Sequence, residues 1–97
     1  MRNVYLIAYD VAEPARWRQV YRIMCGAGDP LQYSVFRCEL TAVELHQVQS
    51  QLWEELNLQE DRIMLVDLGP VDGRGDSCIE FWGTHRSEPP DRTATIV

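Results

Sequence analysis

Residues 3–11 read Asn-Val-Tyr-Leu-Ile-Ala-Tyr-Asp-Val, a short continuous apolar run rich in β-forming side chains. Such a run predicts a strand buried on both faces, so the fold must be a sheet with this segment inside it. Asp10 falls at the C-terminal end of the run. Ala12-Glu13-Pro14 follows, with proline where the first turn of a helix accepts it. The helix is expected to reach about Cys25, because Trp17, Val20, Tyr21 and Met24 recur at i, i+3, i+4 and i+7 as one buried stripe. Arg16, Arg18, Gln19 and Arg22 lie off that stripe, towards solvent. Gly26 and Gly28 then stop the helix, and Asp29-Pro30 begins a turn.

Residues 31–40, with Tyr33, Val35 and Phe36, predict one further strand. Thr41-Ala-Val-Glu44 is a capping-box pattern, in which Thr41 takes the Glu44 amide and Glu44 reaches back. The second helix carries Leu45, Val48, Leu52 and Leu56 inward with Trp53 beside them, and Asn57 is the expected left-handed stop. Ile63–Leu68 predicts a strand, Gly69-Pro70 and Asp72-Gly73 a loop, and Cys78–Trp82 a last strand ending at Gly83. The sum is α+β, an open sheet with two helices on one face.

The chain of 97 residues has room for one domain, placed at 1–83. Residues 84–97 form a polar tail whose Thr93–Val97 end has the composition of an edge strand on a partner chain. A domain this small buries only roughly 60–65% of its unfolded surface, so pairing with a second chain would help a thin core. No apolar run approaches the roughly 18–20 residues of a membrane span, and residues 4–9 are too short for a signal peptide, so a cytoplasmic protein is expected.

The net charge of −6 hides an asymmetry. Residues 1–37 set Arg2, Arg16, Arg18, Arg22 and Arg37 against Asp10, Glu13 and Asp29, a net +2, whereas residues 38–97 carry a net −8. A local arginine face can still hold a phosphate backbone on an acidic protein. Every basic residue is arginine, which suits bidentate phosphate contacts and equally fits a bias in genome composition. Cys25, Cys38 and Cys78 have no Cys-x-x-Cys spacing and read as small buried apolar side chains. With only His46 and His85, far apart, zinc lacks ligands.

Five separated stretches carry a more specific signal. Tyr9-Asp10-Val11 closes the first strand, with Arg16 and Arg18 in the helix after it, and Gln32-Tyr33-Ser34-Val35-Phe36 follows. Leu40-Thr41 with Glu44, then Glu60-Asp61-Arg62, then Ile79-Glu80-Phe81-Trp82-Gly83 complete the set. In this order the chain resembles the CRISPR-associated protein 2 family, small proteins of prokaryotic CRISPR adaptation. The resemblance implies a ferredoxin-like fold with an antiparallel sheet, a homodimer, and a C-terminal strand that joins the partner's sheet. That fold needs two strands between the helices, which a bend near Ser34 would supply by splitting residues 31–40. The family is described both as a divalent-metal-dependent endonuclease and as a non-catalytic bridge between integrase dimers of CRISPR-associated protein 1. A ribonuclease toxin of the same fold is a third possibility, because one fold hosts many functions.

Asp10 is the first residue to weigh. A carboxylate ending a buried strand must be paired or stay near water. It either ligates a divalent cation such as Mg2+, with a second Asp10 arriving across a dimer axis, or it caps the following helix. Arg16, Arg18 and Arg22 are the candidate phosphate contacts, either to double-stranded DNA or to RNA, or else a solvated helix face. Tyr5, Tyr9, Trp17 and Tyr21 fall where core residues are expected, so they do not by themselves predict a base-stacking platform. The resemblance places Phe36 close to the active site, with Tyr9 and Ser34 as further neighbours. No base is positioned for Ser34, so a serine nucleophile is not expected.

Overall fold

Side-chain alternation along the first strand decides which side of the sheet is covered. In the computed structural model, which describes residues 1–75 and 77–83, β1 (Asn3–Asp10) sends Tyr5, Ile7 and Tyr9 to one face, all buried. Phe36, Cys38 and Leu40 of β3 (Val35–Leu40) join them. Helices α1 (Pro14–Ala27) and α2 (Ala42–Glu55) close over this face with Val20, Met24, Val48 and Leu52. Burial of each large apolar side chain here contributes about 1.5–3 kcal/mol. On the opposite face Leu6 and Ala8 stay half-buried, so the expected burial of β1 on both faces holds only at Val4. Val4 lies beneath Gly75, where an added Cβ would come within 2.6 Å of Val4 Cγ2.

The sheet order is β2-β3-β1-β4, with β2 at Asp29–Gln32, β4 at Arg62–Pro70, and every neighbouring pair antiparallel. With α1 after β1 and α2 after β3, this is the ferredoxin-like arrangement. The single strand expected over 31–40 is a hairpin that turns at Tyr33-Ser34. Its first arm starts at Asp29-Pro30, expected to be a turn, because β2 is an edge strand and tolerates the missing proline donor. The Tyr9 amide donates to the Ser34 carbonyl at 3.0 Å and ties the hairpin turn to the end of β1.

Helix α1 runs past Gly26, and Gly28 is its C-cap, donating to the Met24 carbonyl at 3.0 Å. A Cβ on Gly28 would collide with the Arg37 carbonyl oxygen and lie 2.6 Å from Cys38 Sγ, so glycine is needed for the helix end to approach β3 this closely. The capping box at Thr41 and Glu44 is present in full. Asn57 does not adopt the expected left-handed conformation. Instead Leu56 is the C-cap of α2, and the Asn57 side chain accepts the Gln59 amide at 3.0 Å.

Gly69-Pro70, expected as loop, ends β4, and a π-helical turn spans Val71–Gly75. Cys78–Trp82 forms no strand. Its backbone meets no ladder on either sheet edge, and extended residues become a strand only where their amides are paired. Of the three cysteines only Cys38 is buried; Cys25 is exposed. The tail expected at 84–97 lies outside the described residues. Among the described residues no helix is long and apolar enough to cross a membrane.

Candidate active site

The end of β1, the start of α1 and the β2–β3 turn enclose an open cleft of about 490 Å³, lined by Tyr9, Asp10, Val11, Ala12, Pro14, Trp17, Arg18, Tyr33 and Ser34. Its one carboxylate is Asp10. The capping alternative for Asp10 fails, because Glu13 is the N-cap of α1 and takes the Arg16 amide on Oε1 at 2.8 Å. Hydrogen bonds donated by the backbone amides of Arg16 and Ala15 hold the Glu13 carboxyl pKa below its ordinary value. Asp10 itself is exposed and has no hydrogen-bond or ion-pair partner among the described residues. Arg62 stands opposite it in the β1–β4 register, yet no ion pair joins them.

Behind Asp10 the strand end is fixed by aromatic packing. The Tyr9 ring lies on Phe36, centroids 6.1 Å apart, and Phe36 is fully buried behind the cleft. The Tyr9 hydroxyl is buried without a well-formed hydrogen bond. Desolvation, reinforced by nearby Tyr21, pushes its pKa well above the ordinary phenol value, and the Ser34 hydroxyl offsets this only weakly. Ser34 Oγ instead accepts from Trp17 Nε1 at 3.2 Å.

The three candidate arginines separate. Arg18 is exposed, lines the cleft with Asp10, and makes no hydrogen bond or close ion pair among the described residues, although its charge helps to hold the Glu13 carboxyl down. Arg16 is taken up by acids: Nε donates to Asp61 Oδ2 at 2.8 Å, and Nη2 donates to Asp61 Oδ1 at 3.2 Å and Glu60 Oε1 at 2.9 Å. A phosphate would have to displace both carboxylates. Arg22 donates to Gln19 Oε1 at 3.3 Å and borders a second depression with Arg2 and Glu44. The structure therefore brings Arg18 to Asp10, and neither Arg16 nor Arg22.

Two features escaped the sequence. Asp61, only 5% exposed, also accepts the Ala12 amide at 2.9 Å and the Asn57 amide at 3.0 Å. Arg16 above all, with these amides, depresses its pKa to about 2. Ala12 and Arg16 are distant in sequence, so no local pattern reveals them as partners. The second is a ring stack: Tyr33, Trp17 and Tyr21 lie nearly parallel, and Tyr21 is exposed where a core position was expected.

An exposed carboxylate without a competing partner suits one position of a hard, oxygen-preferring cation, which takes one or two carboxylates and completes its shell with water and phosphate. No cluster of three or more His, Cys, Asp or Glu side chains is available among the described residues. One chain thus offers Asp10 alone.

Residues 3–72 match the family model described as CRISPR associated protein Cas2. The chain belongs to that family. A protein of Rhodospirillum rubrum named CRISPR-associated endoribonuclease Cas2 1 is 39% identical over 95 residues, 98% of this chain and 91% of its own. One from Geobacter sulfurreducens, named CRISPR-associated endoribonuclease Cas2, is 35% identical over 72 residues, 74% of this chain and 76% of its own. The crystal structure of Streptococcus pyogenes Cas2 at pH 6.5 superposes with a TM-score of 0.72 at 26% identity, covering 82% of this chain and 99% of that one.

Proposed function

We propose that the chain acts in the cytoplasm as a homodimer in CRISPR spacer acquisition, holding a nucleic-acid backbone and cleaving phosphodiester bonds at Asp10 with a divalent cation. The observation that carries this is Asp10: an exposed carboxylate on a rigid strand end, without a partner among the described residues, in one cleft with Arg18. Arg18 offers charge to a phosphate, and the Tyr9–Phe36 packing holds the strand end in place. Magnesium or a similar ion, when bound, supplies an acidified water and neutralises charge on the phosphate. The names of the relatives, which call them endoribonucleases, agree with this chemistry.

The homodimer reading rests on the open side of the sheet. Asp10 shares strand parity with Leu6 and Ala8, and these face the same way as Met64 and Val66 of β4, on the side of the sheet opposite α1 and α2. A second copy on this surface would bring a second Asp10 near the first.

A non-catalytic reading, bridging integrase dimers of CRISPR-associated protein 1, is favoured by one observation: the cleft holds a single acid per chain. The two readings separate on Asp10→Asn, assayed on labelled single-stranded RNA and duplex DNA with magnesium or chelator. Metal-dependent cutting that the substitution abolishes supports the nuclease. Absence of cutting by wild type, with integrase binding intact in both forms, supports the bridge.

A further inference from the structure

Part of the wall of the cleft that holds Asp10 is built from rings. Tyr33, in the β2–β3 turn, is 73% exposed although its ring lies flat on Trp17, with centroids 4.9 Å and planes 18° apart. Trp17 stacks in turn on Tyr21 at 5.2 Å and 13°, and its Nε1 bond to Ser34 Oγ fixes the indole to the same turn. One face of Tyr33 is therefore held from two elements, while the other meets solvent. Turn geometry does not call for tyrosine here, since no described non-glycine residue has a positive φ and small polar residues usually fill such positions. A ring of this size left in water, pre-oriented and beside the exposed Arg18, pairs an aromatic surface with a cation inside one cleft.

Those two features are complementary to a ligand with a π face and an adjacent anion. A nucleotide in a single strand has both, whereas in a duplex each base face is already stacked on its neighbours. We propose that Tyr33, backed by Trp17, is a stacking subsite for one unpaired nucleobase whose phosphate meets Arg18. This rests on the reading of the Asp10 cleft as a nucleic-acid site.

The test uses the full chain in chelator, so that nothing is cut. Fluorescence anisotropy is measured with short labelled single strands of RNA and of DNA, and with the duplex of the same sequence. Tyr33→Ala should weaken single-strand binding by about 5- to 150-fold, the range that loss of one base–aromatic stack gives. Duplex binding should change by less than roughly twofold, and Tyr33→Phe should bind single strands like wild type. A strand carrying one abasic position should lose affinity for wild type but not for Tyr33→Ala, and the RNA and DNA arms report whether the sugar matters. If Tyr33→Ala leaves single-strand binding unchanged, or weakens both forms alike, while Arg18→Ala weakens both, the subsite is wrong and the nucleic-acid reading stands. Wild type that binds neither form overturns both.

Discussion

Asp61 Oδ2 sits 2.8 Å from Arg16 Nε, and the Asp61 side chain is fully buried while Arg16 is partly exposed. The same carboxylate takes the Ala12 amide from the β1–α1 loop and the Asn57 amide from the α2–β4 loop. A single acid thus fastens together two loops and the first turn of α1. Asp61→Ala strands two amide donors and one guanidinium at once. Breaking a buried, hydrogen-bonded charge pair from one side costs about 3 kcal/mol, which at this chain length lowers the melting temperature by roughly 10–20 °C. Thermal unfolding followed by circular dichroism checks it, and a shift of only one or two degrees refutes the buried-latch account.

The pH dependence follows from the same group. Its pKa falls from 3.8 to about 2 on folding. A carboxyl with a depressed native pKa stabilises the fold fully above its unfolded value and loses that contribution as pH falls through the native one. Stability should therefore drop between about pH 4 and pH 2, and Asp61→Asn should flatten that part of the profile. Denaturant midpoints across this window provide the measurement; a profile identical in wild type and variant would assign the acid sensitivity elsewhere.

Gly28→Ala tests the close approach of the α1 C-terminus to β3. The new methyl would meet the Arg37 carbonyl, which cannot rotate aside because β3 is paired on both edges. Overpacking of this kind costs about 1–3 kcal/mol. Gly26→Ala, one half-turn earlier and with open space around it, should be neutral or slightly stabilising, because alanine is the better helix former. Equal effects of the two substitutions would remove the packing explanation.

Elements governed by near neighbours were legible in the sequence. The capping box at Thr41 and Glu44, the Trp17–Val20–Met24 stripe and the strand ending at Asp10 all follow from spacing alone. What failed depended on residues far along the chain. The split of residues 31–40 at Ser34 was anticipated through the family resemblance alone, whereas Cys78–Trp82 lacks a ladder and Asp61 meets Arg16 across 45 positions. Asp10 and Arg18 were singled out from the sequence, and the structure places both in one cleft. The exposed ring of Tyr33 was not singled out, because β-propensity assigns a tyrosine to a strand interior as readily as to a turn.

The separation of the arginines gives a prediction that distinguishes contact from scaffold. A side chain that neutralises one phosphate changes the salt dependence of binding, reducing the log–log slope by about 1 when it is removed. Arg18, exposed in the cleft, should behave this way: Arg18→Ala weakens binding uniformly across sequences, lowers the slope and leaves the melting temperature almost unchanged. Arg16 should behave in the opposite sense, because its charge is already met by Asp61 and Glu60. Arg16→Ala is expected to lower thermal stability while the salt slope of the folded protein stays near that of wild type. Titrations at several salt concentrations, each paired with a melting curve, read both quantities on the same samples. If Arg16→Ala alone lowers the slope, its pairing with Asp61 must open when nucleic acid binds, and the assignment of Arg16 to the scaffold is wrong.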